Sequence, residues 1–95
     1  MASYDFKAID LATVQEQGEL VAPGKAVDSL AVTYLPTGQL LELKFGTGPW
    51  VTVRGAVPFQ LCPPETEGVY YRVAAAGAGE AEVLASFAGV RAGEF

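Results

Sequence analysis

The chain has 95 residues, 51% of them apolar and only 18% charged, with eleven acidic side chains against six basic ones and a net charge of −5. That size suits one small domain with a thin stability margin, and an apolar share this high points to surface buried against other subunits. With no histidine and a single cysteine, Ser–His–Asp and Cys–His catalysis, histidine–carboxylate metal sites and thiolate zinc sites are excluded, and no internal disulfide can form.

The period of the apolar pattern is two nearly everywhere. Tyr4, Phe6 and Ala8 alternate with Asp5 and Lys7, which predicts a half-buried first strand. The pattern continues less cleanly through Ile9-Asp10-Leu11. Residues 12–19 are polar and read as an irregular stretch or an edge strand. Pro23-Gly24 fits the central positions of a type II turn, since proline presets φ and glycine accepts a positive one.

Leu30, Val32 and Tyr34 share one face of the next strand. "PTGQ" (36–39) then separates it from "LLELKF", where Leu41, Leu43 and Phe45 alternate with Glu42 and Lys44. This predicts a hairpin across residues 36–39. "GTGP" (46–49) is a second break, followed by Trp50, Thr52 and Arg54 opposite Val51 and Val53. Val57, Phe59 and Leu61 share a face, and Pro58, which cannot donate to a ladder, assigns that segment to an edge or a bulge. Val69, Tyr71 and Val73 lie opposite Tyr70 and Arg72. The stretch 75–87 is rich enough in alanine to compete as a helix, but Gly77 and Gly79 oppose that, and Val83, Ala85 and Phe87 alternate as a strand. Seven or eight short strands at this spacing predict an all-β fold, a single antiparallel β-sandwich or small barrel.

The motifs carry little chemistry. Cys62 has no histidine, lysine or arginine beside it to activate a thiol. It reads as a structural cysteine at a strand end, with Pro63-Pro64 as a stiff connection to the next strand. Glu65 with Glu67, and Glu80 with Glu82, can share a face as i, i+2 pairs, yet they sit at loop edges where acids are solvated. "GTGPW" lacks the Lys-Ser/Thr of a phosphate loop. The six bases, Lys7, Lys25, Lys44, Arg54, Arg72 and Arg91, stand singly, so nucleic acid is not an expected partner. No apolar run approaches the roughly 18 residues of a transmembrane helix and the N-terminus lacks a signal-peptide pattern, so no membrane is expected. No cofactor or metal is expected.

The sequences "YDFKAIDL", "VAPGKAVDSLAV", "LLELKFGTGPWVTVRGAVPFQL" and "GVYYRVAAAGAGEAEVLASF" resemble the small structural virion proteins of tailed bacteriophages, of the capsid decoration or cement type. The resemblance covers roughly residues 4–87 and rests on strand-and-turn chemistry. It implies a β-sandwich or jelly-roll-like domain that works as a homo-oligomer, often a trimer, and it implies no catalytic residues.

The expected organisation is therefore an extended N-terminal arm or first strand (1–12), a β-sandwich domain (13–88) and a C-terminal tail (89–95). The expected function is non-enzymatic. It is the decoration or cementing of a phage capsid, on the outer surface of a virion assembled in the host cytoplasm, with the major capsid protein or another virion protein as partner. Tyr4, Phe6, Trp50, Tyr70, Arg72 and Phe95 are the candidate interface residues, because aromatic and arginine side chains anchor protein interfaces. Trp50 fits either the core or an interface. Strand 3–11 can in principle add to a neighbour's open sheet edge. Competing readings are a tail- or fibre-associated structural protein, and a carbohydrate- or peptide-binding β-module with Trp50 and Tyr70 as its platform.

Overall fold

The computed structural model describes residues 3–87, and every regular element among them is a β-strand. The alternating segments become β1 (Ser3–Asp10), β2 (Gln15–Val21), β3 (Val27–Tyr34), β4 (Leu41–Phe45), β5 (Trp50–Val53), β6 (Val57–Glu65), β7 (Val69–Val73) and β8 (Glu80–Phe87). They form two four-stranded sheets, one ordered β1-β8-β3-β6 and the other β2-β7-β4-β5. All paired neighbours are antiparallel.

The pairing is nested. β4 pairs with β5, β3 with β6, β2 with β7 and β1 with β8. The chain is thus one long hairpin folded about residues 46–49, then rolled so that β3 also meets β8 and β4 also meets β7. Eight strands in this order make a jelly roll, the double Greek-key form of the β-sandwich. Leu30, Val32 and Val83 from the first sheet face Leu41, Leu43, Val69 and Val73 from the second, all buried. A leucine or valine buried in this way contributes about 1.5–3 kcal/mol. Phe45 on β4 and Phe59 on β6 close one end of this layer, their ring centroids 5.2 Å apart and tilted by 54°.

Several local expectations hold. Gly24 has φ of 100° in the turn after Pro23. Residues 80–87 are strand, and β6 with its Pro58 lies at a sheet edge. Residues 15–21 form the edge strand β2.

Other expectations need correction. Residues 36–39 do turn tightly, with the Gln39 amide donating to the Pro36 carbonyl at 3.1 Å. The strands they join are not a hairpin, however, because β3 and β4 belong to different sheets. The turn is an arch across the sandwich, and the Gln39 side chain pins it by accepting a hydrogen bond from the Ala78 amide at 3.0 Å. The one hairpin between consecutive strands within a sheet, among the described residues, spans residues 46–49, where Gly46 has φ of 62°. Pro63 and Pro64 do not connect two strands. They lie inside β6, where the register with β3 slips between Gln60 and Glu65, and the chain turns only after Glu65.

The two sides of β1 are fixed by its pairing with β8. Ile9 is buried and pairs with buried Ala81, so Lys7 and Asp5, opposite Val83 and Ala85, carry the inward parity. Tyr4, Phe6 and Ala8 point outward. Of the two expected forms of the N-terminus, β1 takes the first-strand form, since all eight of its residues are in register with β8. The expected C-terminal tail at 89–95 lies outside the described residues.

Candidate functional site: the two outer sheet faces

The strand registers fix what each sheet shows to its surroundings, because directly opposed residues share a face. On the β2-β7-β4-β5 sheet, Trp50, Lys44, Tyr70 and Glu19 form one transverse row, and Thr52, Glu42 and Arg72 the next. Arg72 donates two hydrogen bonds to Glu42, from Nε at 2.7 Å and from Nη2 at 3.1 Å. This fork holds the Glu42 carboxyl below its ordinary value and raises Arg72, the hydrogen bond being the largest cause in each case. The same guanidinium lies over the Trp50 ring at 4.4 Å, and the Lys44 ammonium approaches that ring at 5.7 Å. The Tyr70 hydroxyl donates to the Glu67 carbonyl at 3.4 Å. This face therefore satisfies much of its own charge, and Trp50 is half-buried beneath cations rather than in the core.

The outer face of the β1-β8-β3-β6 sheet is different. Phe6, Leu84, Ala31 and Pro58 are opposed in register and form a continuous apolar row across all four strands. On one side lies the uncharged row Tyr4, Ser86, Ser29 and Gln60. On the other lie Ala8, Glu82 and Tyr34. Tyr4 is 66% exposed, Phe6 55% and Tyr34 52%. The charges that β1 and β8 place on this face, Asp10, Glu80 and Glu82, are acidic and gather at one end of the strands. Asp10 is folded onto its own chain, accepting from the Ala12 amide and the Thr13 hydroxyl at 2.9 Å each.

The edges of the two sheets are less available. β1 turns Asp5 and Lys7 inward at its edge, and Lys7 Nζ donates to the Glu19 carbonyl of β2 at 3.4 Å. β6 carries Pro58, Pro63 and Pro64, and β5 is only four residues long. Inward charges, prolines and short strands are the devices that discourage strand addition. The β1 edge is thus poorly suited to the strand-addition staple that its sequence permits.

The candidate interface residues do not converge. Tyr4 and Phe6 lie on one outer face, and Trp50, Tyr70 and Arg72 lie on the opposite one. Phe95 lies outside the described residues. Sequence reasoning missed Leu84, Ala31 and Tyr34. The spacing puts Tyr34 on one face with Leu30 and Val32, but a register slip between Val32 and Tyr34 rotates it outward, opposite Glu82. No period-two pattern signals such a bulge. Beside the Arg72–Glu42 pair lies an open groove of about 410 Å³, lined by Gln39, Leu40, Thr52, Arg54 and the 74–77 loop.

The chain matches no protein-family model, no curated protein and no solved structure. Among the described residues there is no group of three or more His, Cys, Asp or Glu side chains placed to hold a metal ion, and no helix long and apolar enough to cross a membrane.

Proposed function

We propose that this protein is a non-enzymatic structural component of a virion, a capsid decoration or cement subunit acting as a homo-oligomer on the major capsid protein or another virion protein. The observation that carries the reading is the apolar row Phe6–Leu84–Ala31–Pro58, flanked by exposed Tyr4 and Tyr34. A chain of net charge −5 that leaves such a row uncovered has a surface suited to association, and burying it offsets the like-charge repulsion between copies. The opposite face, with Trp50 half-buried and Arg72 already forked onto Glu42, remains available to a second partner. Many weak contacts of this sort on a repeating shell act together through effective concentration.

The test is to co-express the chain with the capsid protein encoded in the same genome and to sediment the assembled shells. Stoichiometric co-sedimentation supports the reading. Shells that form and sediment without it remove the decoration role.

The groove of about 410 Å³ beside Arg72 favours a second reading, a carbohydrate- or peptide-binding β-module. Saturable binding of a glycan or peptide, lost in Arg54→Ala, would move the function there.

A further inference from the structure

We infer that the outer face of the β1-β8-β3-β6 sheet is a self-complementary surface whose occupant is the same face of a second copy, related by a two-fold axis lying along the row Phe6–Leu84–Ala31–Pro58. The inference deepens the oligomeric part of the proposed function and rests on no other part of it.

The charge distribution selects both partner and orientation. The charges that β1 and β8 place on this face are acidic and lie at one end of the strands, at Asp10, Glu80 and Glu82. Two copies packed with strands running the same way would bring acid onto acid. An axis along the apolar row reverses the strands of the second copy. Each residue of the row then meets its own counterpart, and the Ala8–Glu82–Tyr34 row lies over the uncharged Tyr4–Ser86–Ser29–Gln60 row. Apolar surface is matched to apolar surface, and each Glu82 faces the Ser86 side of its partner rather than another acid. A face that is its own complement makes an isologous contact and closes at two copies, whereas a three-fold ring needs two different patches. This departs from the trimer that the family resemblance implies.

The area is adequate for a moderate dimer. Four strands about 4.8 Å apart and about 8 residues long at roughly 3.3 Å per residue give a face of about 500 Å². Two such faces bury on the order of 1,000 Å², at the lower end of specific interfaces. The pairing is therefore expected to depend on protein concentration. It also leaves the two Trp50–Tyr70–Arg72 faces pointing away from each other, so that one dimer can touch two shell subunits.

The experiment is sedimentation equilibrium of the full chain over a hundredfold range of concentration, with three further variants. The wild type is expected to reach twice the chain mass at the upper end. Phe6→Glu places a carboxylate against its own counterpart and should remain a monomer with an unchanged far-ultraviolet spectrum and, at concentrations where the wild type is also monomeric, an unchanged melting temperature. Leu84→Cys, in a Cys62→Ser background, should be joined to a second copy by a short bis-maleimide, and Tyr70→Cys in the same background should not. A monomer throughout, a trimer, or a dimer that survives Phe6→Glu overturns the inference. A dimer that fails to co-sediment with shells leaves the pairing standing and removes the decoration role. Shell-bound monomer does the reverse.

Discussion

The two outer faces of this jelly roll are built from strands of similar length, yet they do different things with their large side chains. On the β2-β7-β4-β5 sheet, Trp50 is covered by Arg72, Arg72 is forked onto Glu42, and Tyr70 is tied to the Glu67 carbonyl. On the β1-β8-β3-β6 sheet, Phe6 and Tyr4 stand more than half exposed, with apolar neighbours across the strands. The first face is internally paired and so adds to the stability of the folded chain. The second is unpaired and gains from burial only when something covers it. An aromatic side chain on a sheet surface is therefore not an interface residue by type alone. What the neighbouring strand sets beside it decides.

This contrast predicts that damage to the molecule will separate into lost folding and lost association. The largest effect should come from removing residues 2–11. That deletion strips β8 of its whole β1 partner and takes Ile9 and Leu11 out of the core. The expected outcome is loss of the cooperative thermal transition and of the β-sheet circular dichroism signal. A truncated chain that still melts cooperatively would mean that β1 is an accessory to the sheet.

Gly18→Val should come next. The Tyr71 ring lies across Gly18, in the space a Cβ would occupy, and the two residues are paired in register. Overpacking of this kind costs about 1–3 kcal/mol, which for a domain of this size lowers the melting temperature by roughly 4–8 °C per kcal/mol. The mass of the assembly at fixed folded concentration should not change.

Arg72→Ala should be milder, with a melting temperature between that of Gly18→Val and the wild type, because it uncovers Trp50 and unpairs Glu42 on a solvated face. Phe6→Ser should change the stability of the monomer by no more than about 0.5 kcal/mol, as for other exposed positions, while weakening self-association measured by sedimentation. If Arg72→Ala altered association and Phe6→Ser altered stability, the roles of the two faces would be exchanged.

The smallest expected effect is on acid stability. The hydrogen bond from Arg72 lowers the Glu42 carboxyl from its ordinary value of 4.5. The unfolded chain therefore takes up the proton first as the pH drops. The contribution of the pair is complete above the ordinary value and is lost as the pH falls through the lower folded value. Thermal melts below pH 4.5 should decline slightly less steeply in Glu42→Gln than in the wild type.

Much of the fold was legible in the sequence. Alternation gave the strand segments, glycine at positive φ gave the turn at Gly24, and Pro58 gave the edge position of β6. Leu41, Leu43, Val69 and Val73 are buried as their spacing requires. The candidate site was legible only in part. Tyr4, Phe6, Trp50, Tyr70 and Arg72 are all surface side chains, but they split between opposite faces. Alternation puts Leu84 and Ala31 opposite the Val83–Ala85 and Leu30–Val32 faces, but nothing in the sequence shows that they line up in one row, and Tyr34 shares its parity with the core residues Leu30 and Val32.

The sequence by itself determined that this is an all-β chain and where most of its strands lie, because a period of two and the demands of proline and glycine are local properties of the backbone. The tertiary structure alone decided which strands pair and which side of each faces the core. The arch at residues 36–39 looks locally like a hairpin turn, yet the rolled chain sends β3 and β4 to different sheets. Alternation marks two sides of a strand without saying which is inside, and a one-residue slip exchanges them. That is why β1 turns Asp5 and Lys7 toward the interior at its edge and leaves Phe6 outside, in register with Leu84, where neither side chain has a covering layer of its own chain.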